Sequence, residues 1–296
     1  MNARPTPGTA APILEQDALR PDCSSCFALC CTAFGFTRSA DFAIDKPPAA
    51  PCPNLATDFS CTIHDRLLPR GFRGCTVFDC FGAGQAVSQR LFKGISWREA
   101  PESQQAMFAS FKTMKQLHEM LWHLAEAEAR TFSPDSADEV HRLRSILQAA
   151  ADGPVEDLLD LDLESLHQRT GGMLREVSEE VRAGYFGGED STGTGLWPGA
   201  DLAGANFRGG QLCGADLRGA CLIAADLRGA DLTDVDLLGA DLRDARLDDA
   251  DLSGALFLTQ AQVNSARGTW ATRLPRMLSR PGHWARKDAP GPEQKH

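Results

Sequence analysis

The chain has 296 residues, of which 43% are hydrophobic and 24% are charged, and its formal net charge is −10. These values are typical of a soluble globular protein of about two domains. No stretch approaches the roughly 18 apolar residues of a membrane span. The acidic charge disfavours general binding to nucleic acid or to an anionic membrane. Residues 1–20 lack the apolar segment of a signal peptide, so we expect a disordered N-terminus and a cytoplasmic location.

Eight of the ten cysteines fall within 58 residues. In a reducing compartment such a cluster favours metal ligation over disulfide bonds. Two thiols separated by two residues, as in Cys23 and Cys26, can converge on one metal ion because the intervening turn reverses the chain. We therefore assign residues 21–100 to a cysteine-rich metal-binding domain. The predicted metal ligands are Cys23, Cys26, Cys30, Cys31, Cys52, Cys61, Cys75 and Cys80.

Four segments carry these cysteines: CSSCFALCC (23–31), PCPNL (51–55), CTIHDR (61–66) and GCTVFDC (74–80). Together they resemble the CxxCxxxCC family of zinc- or iron-chelating domains. The resemblance implies zinc or an iron–sulfur cluster as the cofactor, and copper also suits thiolate ligands. The spacing leaves the metal open, and also whether its role is structural, redox, catalytic, or storage and sensing. Adjacent Cys30 and Cys31 cannot easily bind one tetrahedral ion together, which favours a multinuclear site.

Residues 101–186 are predicted to be helical, because apolar side chains between Met107 and Leu124 recur at helical spacing. A break follows, after which Ser136 is the expected cap of the next helix. This segment is strongly acidic. The glycine-rich residues 187–195 are predicted to form a linker.

The segment from His118 to His123 is similar to the HExxH zinc motif but has one residue too many. On a helix the two rings point about 140° apart, so they cannot share one ion. We expect one partly buried and one exposed histidine. The sequence contains no Ser–His–Asp or Cys–His nucleophile arrangement, so catalytic residues stay unassigned and enzyme activity stays open.

Residues 196–266 repeat with a period of five, which matches neither a helix nor a strand. Each unit has an apolar centre, and a small residue lies two positions before it. The centres are Leu202, Phe207, Leu212, Leu217, Leu222, Leu227, Leu232, Leu237, Leu242, Leu247, Leu252 and Phe257. The pattern resembles the pentapeptide-repeat family. That resemblance implies a right-handed quadrilateral β-helix of three coils, with four repeats per coil and the centres inward.

The predicted fold class is therefore mixed: a cysteine-rich metal domain, an α-helical middle segment and a C-terminal β-helix. Stacking the repeats on four faces places Leu238 and Leu258 next to each other and outward. We expect this apolar face to dock the helical segment or a second copy of the chain. Residues 267–296 are basic and predicted to be mostly disordered, with Trp270 and Trp284 as candidate anchors.

The favoured function is a cytoplasmic metal-binding protein whose repeats form a scaffold or bind an unknown protein or peptide partner. The alternative is a metal-cluster enzyme for redox or group-transfer chemistry, including modification of peptides or natural products. The pentapeptide-repeat resemblance also implies a third function, DNA mimicry toward a topoisomerase. Three coils span only about 14 Å, which is short for that function.

Overall fold

The computed structural model describes residues 13–185 and 195–284. Three regions pack together: a cysteine region (residues 21–100), a helical bundle, and a repeat region (residues 196–266). Residues 1–12 of the predicted disordered N-terminus (1–20), most of the predicted linker and the last twelve residues lie outside the described part, whereas residues 13–18 form a helix. No helix within the described residues is long and apolar enough to cross a membrane.

The cysteine region contains only short elements. They are α2 (Leu29–Ala33), α3 (Arg73–Thr76), α4 (Ala83–Gln85), a π-helix (Ala86–Leu91), and 3-10 turns at Cys23–Ser25 and His64–Arg66. Helix α1 (Ile13–Ala18) precedes the region, and a 3-10 turn at Pro101–Ser103 follows it. Two isolated antiparallel bridges, Phe36 with Lys46 and Leu55 with Cys61, close its loops. Few backbone hydrogen bonds repeat regularly here, so side-chain contacts must hold the segment together.

Four helices form the bundle: α5 (Gln104–Arg130), α6 (Pro134–Asp152), α7 (Val155–Leu159) and α8 (Leu163–Arg182). Helix α5 is central and buries apolar side chains against the other three and against α2. The predicted cap of α6 was wrong by three residues. Ser133 is the N-cap, and its hydroxyl accepts a hydrogen bond from the Ser136 amide at 3.3 Å. Pro134 then occupies the first helical position, where its missing N–H is harmless.

The repeat region makes parallel backbone bridges between residues 20 apart, as between Asp201 and Cys221 and between Asp226 and Arg246. Four five-residue units therefore complete one turn of the chain. The centres from Leu217 to Leu252 are buried in its interior, and Leu217 and Leu222 are fully inaccessible. This inward orientation of the centres agrees with the sequence analysis.

The predicted β-helix is nevertheless wrong as a fold class. Within residues 195–284 the structure has no β-strand and no sheet, because every bridge involves a single residue. The physical reason is the unit length. Each unit forms a tight turn, often through a left-handed residue such as Gly219, Asp234 or Asp244, and only one residue per side stays extended. Three turns of the chain therefore stack without forming continuous strands.

The last repeat changes register. Phe257 adopts a left-handed φ of 57° and packs into the core of the helical bundle. Leu258 instead enters the interior of the repeat region and is 2% exposed. The five-residue period predicts the reverse, with Phe257 inward and Leu258 outward, and this prediction is wrong. Because a left-handed residue redirects the chain, the following side chain takes the interior position.

Beyond the last repeat the chain stays in contact with the repeat region through residue 284. Helix α9 (Gln260–Ser265) begins with a capping box formed by Thr259 and Gln262. Arg267 and Arg273 then make backbone bridges to the third turn of the repeat region. Trp284 is 3% exposed and packs against the interior, while Trp270 is half exposed. Residues 267–284 thus cap the C-terminal end of the repeat region.

The helical bundle docks on the face of the repeat region that includes Leu238, one of the two residues of the predicted docking face; the other, Leu258, is interior. Leu238 packs against the bundle core. The docking also uses charge, which the sequence analysis did not expect. Arg182 donates to Asp216 Oδ2 at 3.1 Å, and Arg130 donates to the Gly254 carbonyl at 3.1 Å. Arginines of the acidic bundle therefore offset its repulsion from the acidic repeats.

Candidate metal centre

The short helix α2 is the centre of the cysteine region and carries Cys30 and Cys31. Their sulfur atoms are 3.9 Å apart. Burial of Leu29 and Ala33 fixes the helix against α5. The Thr32 hydroxyl donates to the Ala28 carbonyl at 3.0 Å, which ties the helix to its own first turn. The other six predicted ligands lie on the segments that surround α2.

One set of cysteines lies where α2 meets α4. Cys26 and Cys80 both contact Gly84, where a Cβ atom would lie 2.6 Å from the Cys26 sulfur and 3.9 Å from the Cys80 sulfur. The Cys26 amide donates to the Cys23 carbonyl at 3.4 Å, so the two ends of this CxxC segment turn toward each other. The first thiol group is Cys23, Cys26, Cys30 and Cys80.

A second set lies on the loops beyond α2. The Cys52 amide donates to the Cys31 carbonyl at 3.0 Å, and Cys61 pairs with Leu55 across a tight reversal. Cys75 in α3 faces the same place: burial raises its pKa to about 12, and the neighbouring charges of Cys31, Cys52 and Cys61 add to the rise. The second thiol group is Cys31, Cys52, Cys61 and Cys75.

The electrostatics show how closely these thiols are grouped. Burial raises the pKa of Cys26 to about 11, with further contributions from Cys80 and Cys23. The Cys30 thiol stabilises a thiolate at Cys31 by hydrogen bonding, which lowers the pKa of Cys31 even though burial opposes it. Because a metal ion favours thiolates, it would reverse the rise in pKa at the other cysteines.

Lys46 is a buried cation beside the second thiol group. It is 4% exposed, and its ammonium donates to the carbonyls of Thr32, Pro47 and Ala50 at 3.3, 3.2 and 2.7 Å. Burial lowers its pKa, while the nearby thiols of Cys52, Cys31 and Cys30 oppose that shift. No carboxylate of the described residues forms an ion pair with it. Sequence reasoning missed Lys46, and nothing in its local sequence signals burial.

All ten cysteines are free thiols. In residues 13–185 and 195–284, no three His, Cys, Asp or Glu side chains are yet close enough to hold one metal ion. The donor type, the space left at Gly84 and the buried charge of Lys46 fit a thiolate-bound metal. To bind one metal ion, however, the sulfur atoms would have to lie closer together than they do in this structure. The structure thus brings the eight predicted ligands near one another without forming a coordination sphere.

The remaining candidates lie elsewhere. His118 and His123 are both buried, so the prediction of one partly buried and one exposed histidine was wrong. Burial lowers both pKa values to about 4. His118 Nδ1 lies 2.7 Å from the Phe81 carbonyl oxygen, a core hydrogen bond. Cys213 and Cys221 lie in the repeat region, away from both thiol groups.

Comparison with known proteins first identifies the repeat region. The family model for pentapeptide repeats matches residues 199–234 and 220–257 with eight copies. Residues 199–257 are therefore pentapeptide repeats. The match does not reach the cysteine region, so the resemblance to the CxxCxxxCC family stays a prediction.

The chain belongs to the same family as a protein of Bacillus subtilis strain 168, the uncharacterized protein YybG. The two are 49% identical over 266 residues, which cover 90% of this chain and 95% of YybG. The similarity therefore spans the cysteine region, the bundle and the repeats together.

Solved structures resemble only parts of the chain. HetL, a pentapeptide repeat protein involved in heterocyst differentiation regulation in Nostoc sp. strain PCC 7120, is 37% identical over 21% of this chain and 33% of its own, with a TM-score of 0.12. A pentapeptide repeat protein of the Arabidopsis thaliana thylakoid lumen is 27% identical over 34% of this chain and 67% of its own, with a TM-score of 0.15. The matched segment spans a third of HetL.

Proposed function

We propose that the protein binds zinc or an iron–sulfur cluster through its cysteine region, and that the repeat region is the scaffold that holds this region in place. The observation that carries the proposal is the gathering of eight free thiols around α2. Many cysteines in a segment with little regular structure favour folding that is coupled to metal binding. The alternative, in which the cysteines are only small buried apolar side chains, explains this density less well. Free thiols also suit a reducing compartment such as the cytoplasm.

The surroundings of the thiols support a metal over an empty cluster. A side chain at position 84 would collide with the Cys26 sulfur, so glycine leaves room for two sulfur atoms to approach. A buried ammonium without a carboxylate partner, as at Lys46, is unfavourable unless another anion is close. Metal-bound thiolates supply that negative charge. When bound, the metal would cross-link the loops that the backbone alone leaves weakly connected.

The scaffold role rests on contacts between the cysteine region and the repeat region. Arg73 in α3 donates to Asp244 Oδ2 at 2.8 Å and to the Ser265 carbonyl at 3.1 Å. Asn264 in α9 donates to the Thr76 carbonyl at 3.1 Å. These bonds fix the segment that carries Cys75. The exposed faces of the repeat region remain accessible to a protein or peptide partner.

The test is metal analysis of the full chain purified without air. Zinc or iron should be present in the wild type, and visible absorption distinguishes the coloured iron–sulfur cluster from colourless zinc. Cys26→Ser should lower the bound metal, whereas Cys213→Ser is the matched control and should keep the wild-type content. Wild-type protein without metal, or equal metal in both variants, would overturn the proposal.

A further inference from the structure

Each turn of the repeat region binds the turn before it through backbone groups on both sides of a centre. The Cys221 amide donates to the Ala200 carbonyl at 2.9 Å, and the Ile223 carbonyl accepts from the Gly204 amide at 2.8 Å. Amides one position before a centre and carbonyls one position after it therefore point toward the N-terminal end of the repeats. In the outer turn (residues 195–214) these groups point away from the repeat region, because no further turn precedes it.

The edge of the outer turn carries unpaired backbone groups. At four exposed residues an amide or a carbonyl of this kind has no backbone partner within residues 13–185 and 195–284. The amides are those of Asp201 and Asn206, and the carbonyls are those of Ala203 and Arg208. The apolar interior is also incompletely covered here, since Trp197 is 56% exposed and Phe207 is only half-buried. An unpaired edge of this kind readily adds another chain.

The shape of this edge selects its partner. Because the chain turns after every five residues, each of the four sides offers one short segment for pairing. An extended peptide would pair along one side and leave the others unpaired, whereas another square end can pair with all of them. Residues 267–284 cap the C-terminal end of the repeats, so that end cannot stack here. The matching surface is therefore the outer turn of a second copy.

We propose that two copies of the chain form a dimer by stacking their outer turns end to end about a twofold axis. This axis reverses the chain direction across the interface, so facing segments run antiparallel and can exchange N–H···O bonds. Both copies use the same surface, which closes the assembly at two chains. The proposal is independent of metal binding, because none of the eight predicted ligands takes part.

The order of the units fixes the position of the axis. The outer turn has its four centres at Trp197, Leu202, Phe207 and Leu212. The unit of Trp197 belongs to this turn because the Gly199 amide donates to the Arg218 carbonyl of the turn beneath at 2.7 Å. The midpoint of the outer turn is therefore the corner between Leu202 and Phe207. An axis through this corner places these two centres over each other in the two copies, and Trp197 over Leu212.

The same axis brings opposite charges together. Residues at equal distances from the corner face each other, so the Asp201 amide meets the Arg208 carbonyl of the second copy. The Asn206 amide likewise meets the Ala203 carbonyl. The Asp201 carboxylate then lies opposite the Arg208 guanidinium twice in each dimer, within reach of a cross-strand ion pair. Neither side chain has an ion-pair partner in the described part of the chain. The side that binds the bundle faces a different side of the second copy, so the two bundles do not collide.

The test changes these charges in the full chain and measures the dissociation constant of the dimer by sedimentation equilibrium. Arg208→Asp and, separately, Asp201→Arg place like charges opposite each other and should each raise the constant about tenfold or more. Arg246→Asp is the matched control, because it makes the same change of charge on the same side of the repeats, two turns from the edge. It should leave the constant within about twofold, since screening weakens charge interactions over that distance.

The double variant Asp201→Arg/Arg208→Asp should restore association, because opposite charges face each other again. One unit of the third turn already carries these two charges at the same positions, as Arg246 and Asp248. Hydrogen exchange should be slow at the Asp201 and Asn206 amides of the wild type and fast in Arg208→Asp. A monomeric wild type, single variants that associate as well as the wild type, or a double variant as weak as the single ones would overturn the proposal.

Discussion

The repeat region and the cysteine region of this protein are stabilised in opposite ways. Backbone bonds recur every 20 residues in the first, and each turn repeats the interior of the one before. In the second, two isolated bridges, three short α-helices and a π-helix leave most of the segment without regular backbone pairing. The comparison indicates that a periodic sequence is stabilised by backbone hydrogen bonds and packing between its own turns. An aperiodic segment of similar length depends on side-chain contacts or cross-links instead.

The most severe test of this comparison is a charge in the interior of the repeats. Leu227 is 1% exposed, and Leu227→Asp would bury an unpaired carboxylate and remove apolar packing. We expect a loss of more than about 5 kcal/mol in the free energy of unfolding. The measurement is urea unfolding followed by circular dichroism. Ala224→Asp is the control, because Asp234 and Asp244 already occupy the equivalent left-handed position. Similar stability of both variants would show that the centres do not form the core.

The next test asks how far the repeats depend on the bundle. The Arg182 side chain is 5% exposed and pairs with Asp216 and the Gly214 carbonyl. Arg182→Ala should lower the free energy of unfolding by about 2–3 kcal/mol, because the Gly214 carbonyl loses its donor while Asp216 keeps its pair with Arg218. Arg175→Ala, an exposed change on the same helix, should alter it by less than about 0.5 kcal/mol. If both variants change the free energy of unfolding equally, the stability of the repeat region does not depend on this docking contact.

A change of similar size but opposite sign is expected at Glu126. This buried carboxyl accepts a hydrogen bond from the Phe257 amide at 3.0 Å, and burial raises its pKa to about 7. The folded state therefore binds a proton that the unfolded state has lost above pH of about 4.3, so stability falls as the pH rises toward 7. Glu126→Gln keeps the acceptor without the charge.

The Glu126→Gln variant should be more stable than the wild type by on the order of 3 kcal/mol at pH 8, and the gain should vanish near pH 4.5. Unfolding measured across this pH range checks it. The variant is compared with the wild type at each pH, because His118 and His123, with lowered pKa values, give the opposite trend in acid. If the stability difference between variant and wild type does not change with pH, Glu126 is ionised in the folded state over this range and the prediction is wrong.

The smallest effect concerns the link between the two regions compared above. Arg73 and Asp244 form a half-buried ion pair. A double-mutant cycle with Arg73→Ala and Asp244→Ala should give a coupling of about 0.5–1 kcal/mol. The matched cycle with Arg267→Ala should give a smaller value, because Arg267 is 69% exposed. A coupling of zero for Arg73 would mean that Asn264 and packing alone hold α3 on the repeats.

Periodicity explains what the sequence could predict. The inward centres and the docking face at Leu238 follow from counting in fives. The count fails at Phe257, because its left-handed backbone has no signal in the side chain. The repeat pattern also predicts β-strands that the structure lacks. The period gives the number of residues per turn of the chain, but not how many residues on each side form backbone pairs. The eight predicted ligands are evident in the sequence as cysteines, yet their placement around α2 depends on loops whose paths no local pattern fixes.

The 20-residue return also limits how the length of this family's chains can change. Asp216, Asp236 and Leu256 follow one another at that interval and all contact the bundle. Loss of a single five-residue unit between Asp216 and Leu256 would turn part of this contact row by a quarter turn relative to the rest, away from α5 and α8. Loss or gain of four units would return it to the same side. Viable relatives with this bundle should therefore differ in repeat length by whole turns, so their repeat lengths should be spaced 20 residues apart.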